Sequence, residues 1–113
     1  MKVVFISGPY RGNITNNVKI ARQHAETLWR KGYAVFCPHL NSAHMDGVCP
    51  DDNFLNGDLE ILSRCDFIYL LPGWETSIGA RKEWELAQKM GIRRLSLDST
   101  DNSAPPFCLK EGW

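Results

Sequence analysis

Apolar positions along the chain fall into short blocks that alternate between two periods. Lys2 to Ser7 is β-branched and aromatic and stops at Gly8-Pro9, as a buried strand does. Ile14, Val18, Ala21, Ala25, Leu28 and Trp29 then recur at helical spacing. Arg30-Lys31 suit the negative end of that helix, and Gly32 ends it. Tyr33 to Cys37 reads as a second strand, closed by Pro38. A polar loop over residues 39–52 follows, and Asp51 or Asp52 is expected to cap a helix running to about Arg64. Asp66 to Leu71 is a third strand, stopped by Pro72-Gly73. After a loop over residues 74–76, Ser77 is expected to cap a helix from Ile78 to Met90, and Arg94 to Leu97 is a fourth strand.

This β-α-β-α-β-α-β alternation predicts an α/β fold: one flavodoxin-like, three-layer domain over residues 1–98, with a parallel sheet of four to five strands in the order 2-1-3-4. The remaining residues, 99–113, form a tail with apolar residues near its end, expected to pack on the domain or on a neighbouring subunit. In such a sheet a ligand sits outside the carboxyl ends of the strands. The loops from Ser7 to Gly12, from His39 onward and from Pro72 to Gly79 all lie there.

Two carboxylates break the helical pattern. Ala80, Glu83, Trp84 and Ala87 stand at i, i+3, i+4 and i+7, so Glu83 lies in an inward stripe. Glu85 points away and has Arg81 and Lys89 four residues to either side, an ordinary solvated ion-pair face. Leu55, Asp58, Leu59 and Leu62 repeat the pattern on the preceding helix. A carboxylate in an apolar stripe costs several kcal/mol or loses its charge unless a pocket or partner compensates. A buried ion pair or a capping role would explain one such acid. Two in two inward stripes, both near strand-end loops, point to a site. Glu83 leans toward the start of its helix, Gly79 leaves open space one turn earlier, and Ser77 offers a hydroxyl at the cap.

Composition narrows the function classes. The 113 residues carry zero formal net charge and no block of like charges, which argues against a nucleic-acid binder. The longest early apolar run, Val3 to Ile6, is too short for a signal peptide or membrane helix, so a cytoplasmic protein without a membrane partner is expected. The four cysteines form no Cys-x-x-Cys pair and read as reduced and structural. His39, His44, Asp46 and Cys49 share a loop, but their spacing matches no standard zinc pattern, and no metal is expected. No Gly-x-Gly-x-x-Gly or Walker spacing is present, and no cofactor is expected.

The motifs Ile6-Ser7-Gly8-Pro9-Tyr10, Asp58-Leu59-Glu60 before Arg64-Cys65-Asp66, Leu71-Pro72-Gly73-Trp74 and Ser77-x-Gly79-x-x-x-Glu83-x-x-x-Ala87 together resemble the nucleoside 2-deoxyribosyltransferase-like superfamily. Within it they are similar to a branch common in phages and bacteria, the domain of unknown function DUF4406. The resemblance covers residues 2 to about 98. It implies cleavage or transfer of the N-glycosidic bond of a (deoxy)nucleoside or its 5′-monophosphate, with Glu83 as covalent nucleophile and Asp58 binding the sugar or protonating the leaving base. Ser7, Gly8, Tyr10, Arg11, His39, Trp74, Ser77 and Gly79 are the expected substrate-binding residues. The resemblance also implies a homodimer or higher homo-oligomer. The alternative reading is a non-catalytic nucleotide-binding or sensor module on the same fold.

Overall fold

The computed structural model describes residues 1–97. Four strands, β1 (Val3–Ser7), β2 (Ala34–Phe36), β3 (Phe67–Leu70) and β4 (Arg93–Leu95), form one parallel sheet in the order β2-β1-β3-β4. Among the described residues the sheet thus has four strands, and its order is the expected one. Helices α1 (Ile14–Arg30), α2 (Pro38–Asn41), α3 (Asp51–Leu62) and α4 (Ile78–Lys89) connect and cover it. No helix among the described residues is long and apolar enough to cross a membrane.

The two-residue period of β1 divides the core. Val4 and Ile6 face α1 and pack with Ala21, Ala25, Leu28, Phe67, Tyr69 and Leu95. Phe5 faces the other way and joins Leu62, Ile68, Leu70 and Ala87 in a second cluster. Ser7, two residues beyond Phe5, falls on that second face. It is a polar side chain only 1% exposed at the carboxyl end of a central strand. The chain leaves β1 toward β2 on one side and later places β3 on the other. The switch point between β1 and β3 is where parallel sheets open a crevice.

Several boundaries differ from expectation. β2 is shorter than Tyr33–Cys37, because Cys37 already precedes α2, which occupies part of the expected loop and carries His39. The residues expected to cap α3 lie inside its first turn. Pro50 is the flanking residue and supplies no side-chain cap, while the Asp51 carboxylate reaches Arg11 instead. The expected loop at residues 74–76 is a single 3₁₀ turn, entered through Gly73 at φ 86°, a left-handed conformation that favours glycine. β4 ends at Leu95, two residues early. The expected cap on α4 is present, with the Ser77 side chain accepting a hydrogen bond from the Ala80 N–H. Cys37 and Cys65 are free and buried, and burial pushes both thiols up to about 11, which leaves them inert. The tail expected over residues 99–113 lies outside the described residues.

Candidate active site

A cleft of about 600 Å³ opens at the switch point. Its walls are the loop after β1, the start of α2, the first two turns of α3 and the first turns of α4. Glu83 forms its inner end. Glu83 is only 7% exposed, on the same inward stripe as buried Ala80 and Ala87. The Ser7 hydroxyl donates to Glu83 Oε1 at 2.5 Å, a short bond to an acidic oxygen. That bond aims the carboxyl from the strand end into the cleft and ties α4 to β1.

Three influences act on Glu83. Burial dominates and weakens the acid. The Ser7 bond favours the ionised form and opposes burial, and the nearby Asp58 charge again weakens the acid. The result is a carboxyl raised from its ordinary 4.5 to about 7. Asp58 is raised from 3.8 to about 6 by burial. The two acids therefore share a pH range in which the pair holds one proton.

The α3 stripe departs from expectation in an informative way. Only Leu62 is fully buried. Leu55 and Asp58 line the cleft, so the first half of the stripe faces the cavity and only the last turn enters the core. Asp58 is thus half-buried beside open volume.

Glycine at two positions has separate causes. A Cβ on Gly8 would lie 2.6 Å from Leu71 Cβ, so the β1 and β3 exits can pass only without a side chain there. A Cβ on Gly79 would meet nothing within 4 Å. Packing does not require that glycine. A methyl group there would project into the cleft, one turn above Glu83.

Glu83, Asp58, Gly8, Tyr10, Arg11, His39, Ser77 and Gly79 all line the cleft. Ser7 stands behind Glu83 and acts through it. His39 has a more structural place than ligand contact. Its Nε2 lies 2.7 Å from the Pro9 carbonyl, which can only accept, so Nε2 carries the proton. Burial pushes its pKa down and keeps the ring neutral. His39 thereby clamps the β1 exit loop, and Tyr10 packs edge-on against it at 5.8 Å.

Trp74 is a correction. It does not line the cleft. The turn after Gly73 sends the indole to the outer side of α4, where it meets Trp84 at 6.5 Å and the Arg94 guanidinium at 5.9 Å. It covers the second core cluster. Asp46, from the polar loop after His39, also lines the cleft, as do Ser42, Asp51, Asp52 and Thr76, which are not among the expected site residues. Asp51 and Asp52 were visible as acids at a helix start, but capping explained them. Among the described residues no three His, Cys, Asp or Glu side chains are grouped to hold a metal ion.

Solved structures that share this arrangement of strands and helices include two 2-deoxyribosyltransferases. One is a 2-deoxyribosyltransferase from the psychrotolerant bacterium Bacillus psychrosaccharolyticus, described as a biocatalyst for nucleoside synthesis (TM-score 0.61, 17% identity, 82% of this chain and 69% of that one). The other is a 2-desoxiribosyltransferase from Leishmania mexicana (TM-score 0.63, 19% identity, 84% of this chain and 63% of that one). At these identities the likeness is one of fold, and the chain is shorter than both. None of the curated proteins matches the sequence. The model of one family, the domain of unknown function DUF4406, matches residues 2–95, and the chain belongs to that family.

Proposed function

We propose that the protein cleaves or transfers the N-glycosidic bond of a nucleoside or nucleoside 5′-monophosphate, with Glu83 as nucleophile and Asp58 as proton donor. The observation that carries this reading is the Ser7–Glu83–Asp58 arrangement: a buried carboxyl, aimed by a hydroxyl, beside a second weakened acid in a cleft of about 600 Å³. The fold shared with two 2-deoxyribosyltransferases supports it.

An ionised Glu83 oxygen attacks the anomeric carbon. The bond from that carbon to the base nitrogen breaks, its electron pair goes to the base, and Asp58 delivers a proton to the leaving base. The product is a glycosyl ester on Glu83. Water then attacks the same carbon and gives one proton to the Asp58 carboxylate, releasing the free sugar, or a second base attacks, gives its N–H proton to Asp58 and forms a new nucleoside. In both cases the ester bond breaks and Glu83 recovers its carboxylate. The required form of the pair has Glu83 ionised and Asp58 protonated. Between about pH 6 and 7 the pair holds one proton, which rests more on Glu83 than on Asp58, so the reactive form is the minor of the two one-proton states and is reached by moving that proton to Asp58.

A panel of nucleosides and 5′-monophosphates, read for free base, tests this. Wild type is expected to release base from at least one member. Glu83→Ala should lose at least about a thousandfold, in line with loss of a covalent nucleophile, and Asp58→Asn about a hundredfold, in line with loss of an acid catalyst. Release that survives Glu83→Ala would rule out the nucleophile assignment. Ligand binding without turnover would favour the sensor reading. The protein is further proposed to be at least a dimer, with exposed Leu40, Met45 and Val48 offering apolar surface beside the cleft. A monomeric mass at micromolar concentration would contradict that.

A further inference from the structure

The charge around the cleft has a direction. Its lining holds five acidic side chains, those of Asp46, Asp51, Asp52, Asp58 and Glu83, of which the last two lose their shared proton only as pH rises past about 7. Against them stands one guanidinium, Arg11, whose Nη2 already lies 2.6 Å from Asp51 Oδ2. The imidazole of His39 adds no charge, since burial keeps it neutral and its Nε2–H is given to Pro9. The start of α4 contributes roughly half a positive charge, and the Ser77 side chain already accepts the Ala80 N–H there. Among the described residues, then, the cleft holds no cation that is not already paired.

We propose that this cleft selects unphosphorylated nucleosides and discriminates against their 5′-monophosphates, with Asp51 and Asp52 as specificity-determining residues. This deepens the N-glycosidase reading and rests on it. A nucleoside brings hydroxyl and amino donors, which carboxylates accept without charge conflict. A monophosphate brings nearly two negative charges into a space about 600 Å³ in volume. A carboxylate about 8 Å from a dianion weakens its binding roughly fivefold at low salt, and several such carboxylates act together. Arg11 offsets little of this. Its charge at the mouth is already balanced by Asp51 on the first turn of α3; both side chains are exposed and the pair is weak, but a guanidinium turned to a phosphate would leave the Asp51 carboxylate beside the newcomer.

The experiment pairs each common ribo- and 2′-deoxynucleoside with its own 5′-monophosphate. Affinity is measured by ligand-observed NMR titration, and base release is followed, on the full chain at pH 7.5 and low ionic strength. The nucleoside of the active pair is expected to bind at least tenfold tighter than its monophosphate. The gap should shrink to threefold or less at 0.3 M salt. The double variant Asp51→Asn, Asp52→Asn should move the monophosphate-to-nucleoside affinity ratio at least tenfold toward the monophosphate, with an unchanged circular dichroism spectrum showing that it folds. A monophosphate that binds as tightly as its nucleoside, or a ratio that the double variant leaves unmoved, overturns this selection while leaving the glycosidase reading intact. Absence of binding and turnover in both series overturns that parent reading, and the selection with it.

Discussion

Replacing Glu83 by glutamine should make the protein more stable by an amount that grows as pH rises from about 4.5 and is complete above about 7. Burial raises the Glu83 carboxyl from 4.5 to about 7. Each tenfold change in acidity corresponds to about 1.4 kcal/mol, so ionising Glu83 costs about 3 kcal/mol more in the folded protein than in the unfolded chain. A carboxyl weakened by folding costs no stability below its ordinary range. As pH rises through 4.5 the unfolded chain releases this proton first, and stability falls until the folded protein releases it near 7. Glutamine keeps the shape and can still accept the Ser7 hydrogen bond, but it does not ionise. Urea and thermal unfolding of both proteins from pH 4.5 to 9 would show the difference. At the acid end the two should differ only by a constant offset from burying the amide. Above pH 8 the variant should gain about 3 kcal/mol relative to that offset, on the order of 10 °C in Tm. Asp58 adds its own decline between 3.8 and about 6, and because both proteins carry it, the difference curve isolates Glu83. Parallel curves across the whole range would refute the claim that burial holds this carboxyl protonated.

Other predictions follow from the same geometry. Base release should depend on pH as a bell with limbs near 6 and 7, since activity needs one proton on the Glu83–Asp58 pair. Ser7→Ala removes the bond that favours ionised Glu83, so the falling limb near 7, which Glu83 sets, should move to higher pH; an unmoved profile would contradict the role given to Ser7. Gly79→Ala should raise stability by up to about 1 kcal/mol in urea unfolding while cutting turnover at least tenfold, because the new methyl enters empty cleft and not packed protein. Full activity in that variant would show that the ligand does not use the space. Gly8→Ala should instead cost about 1–3 kcal/mol, since its Cβ meets Leu71 at 2.6 Å. An unchanged denaturation midpoint would contradict the close passage of the two loops.

Much of this architecture is legible in the residue pattern because each element carries a clean period and a clear stop. The strand order and the inward position of Glu83 both follow from that. The pairing of Ser7 with Glu83 needed one further step. Ser7 shares a sheet face with Phe5, and that face is the one α4 covers. Other features were hidden for physical reasons. Trp74 stands directly after a strand-end turn, where sequence gives no direction for its side chain; the left-handed Gly73 and the 3₁₀ turn set that direction. The acids at the start of α3 carry the composition of a cap, and only the tertiary approach of Arg11 gives Asp51 its partner. Sequence placed His39 beside the site, but its bond to the Pro9 carbonyl depends on how β2 and β1 align side by side.

The covalent role of Glu83 is the claim on which the functional reading turns, and it can be tested by capture. A 2-deoxy-2-fluoro-arabinonucleoside slows both steps by withdrawing electrons from the oxocarbenium-like transition state, and the glycosyl ester then accumulates. Incubation with such a nucleoside, followed by proteolysis and mass spectrometry, should find the fluorosugar mass on the peptide carrying Glu83, with release of one equivalent of base. Glu83→Gln should show neither. Base release with no adduct on Glu83, or an adduct on another residue, would contradict the assignment.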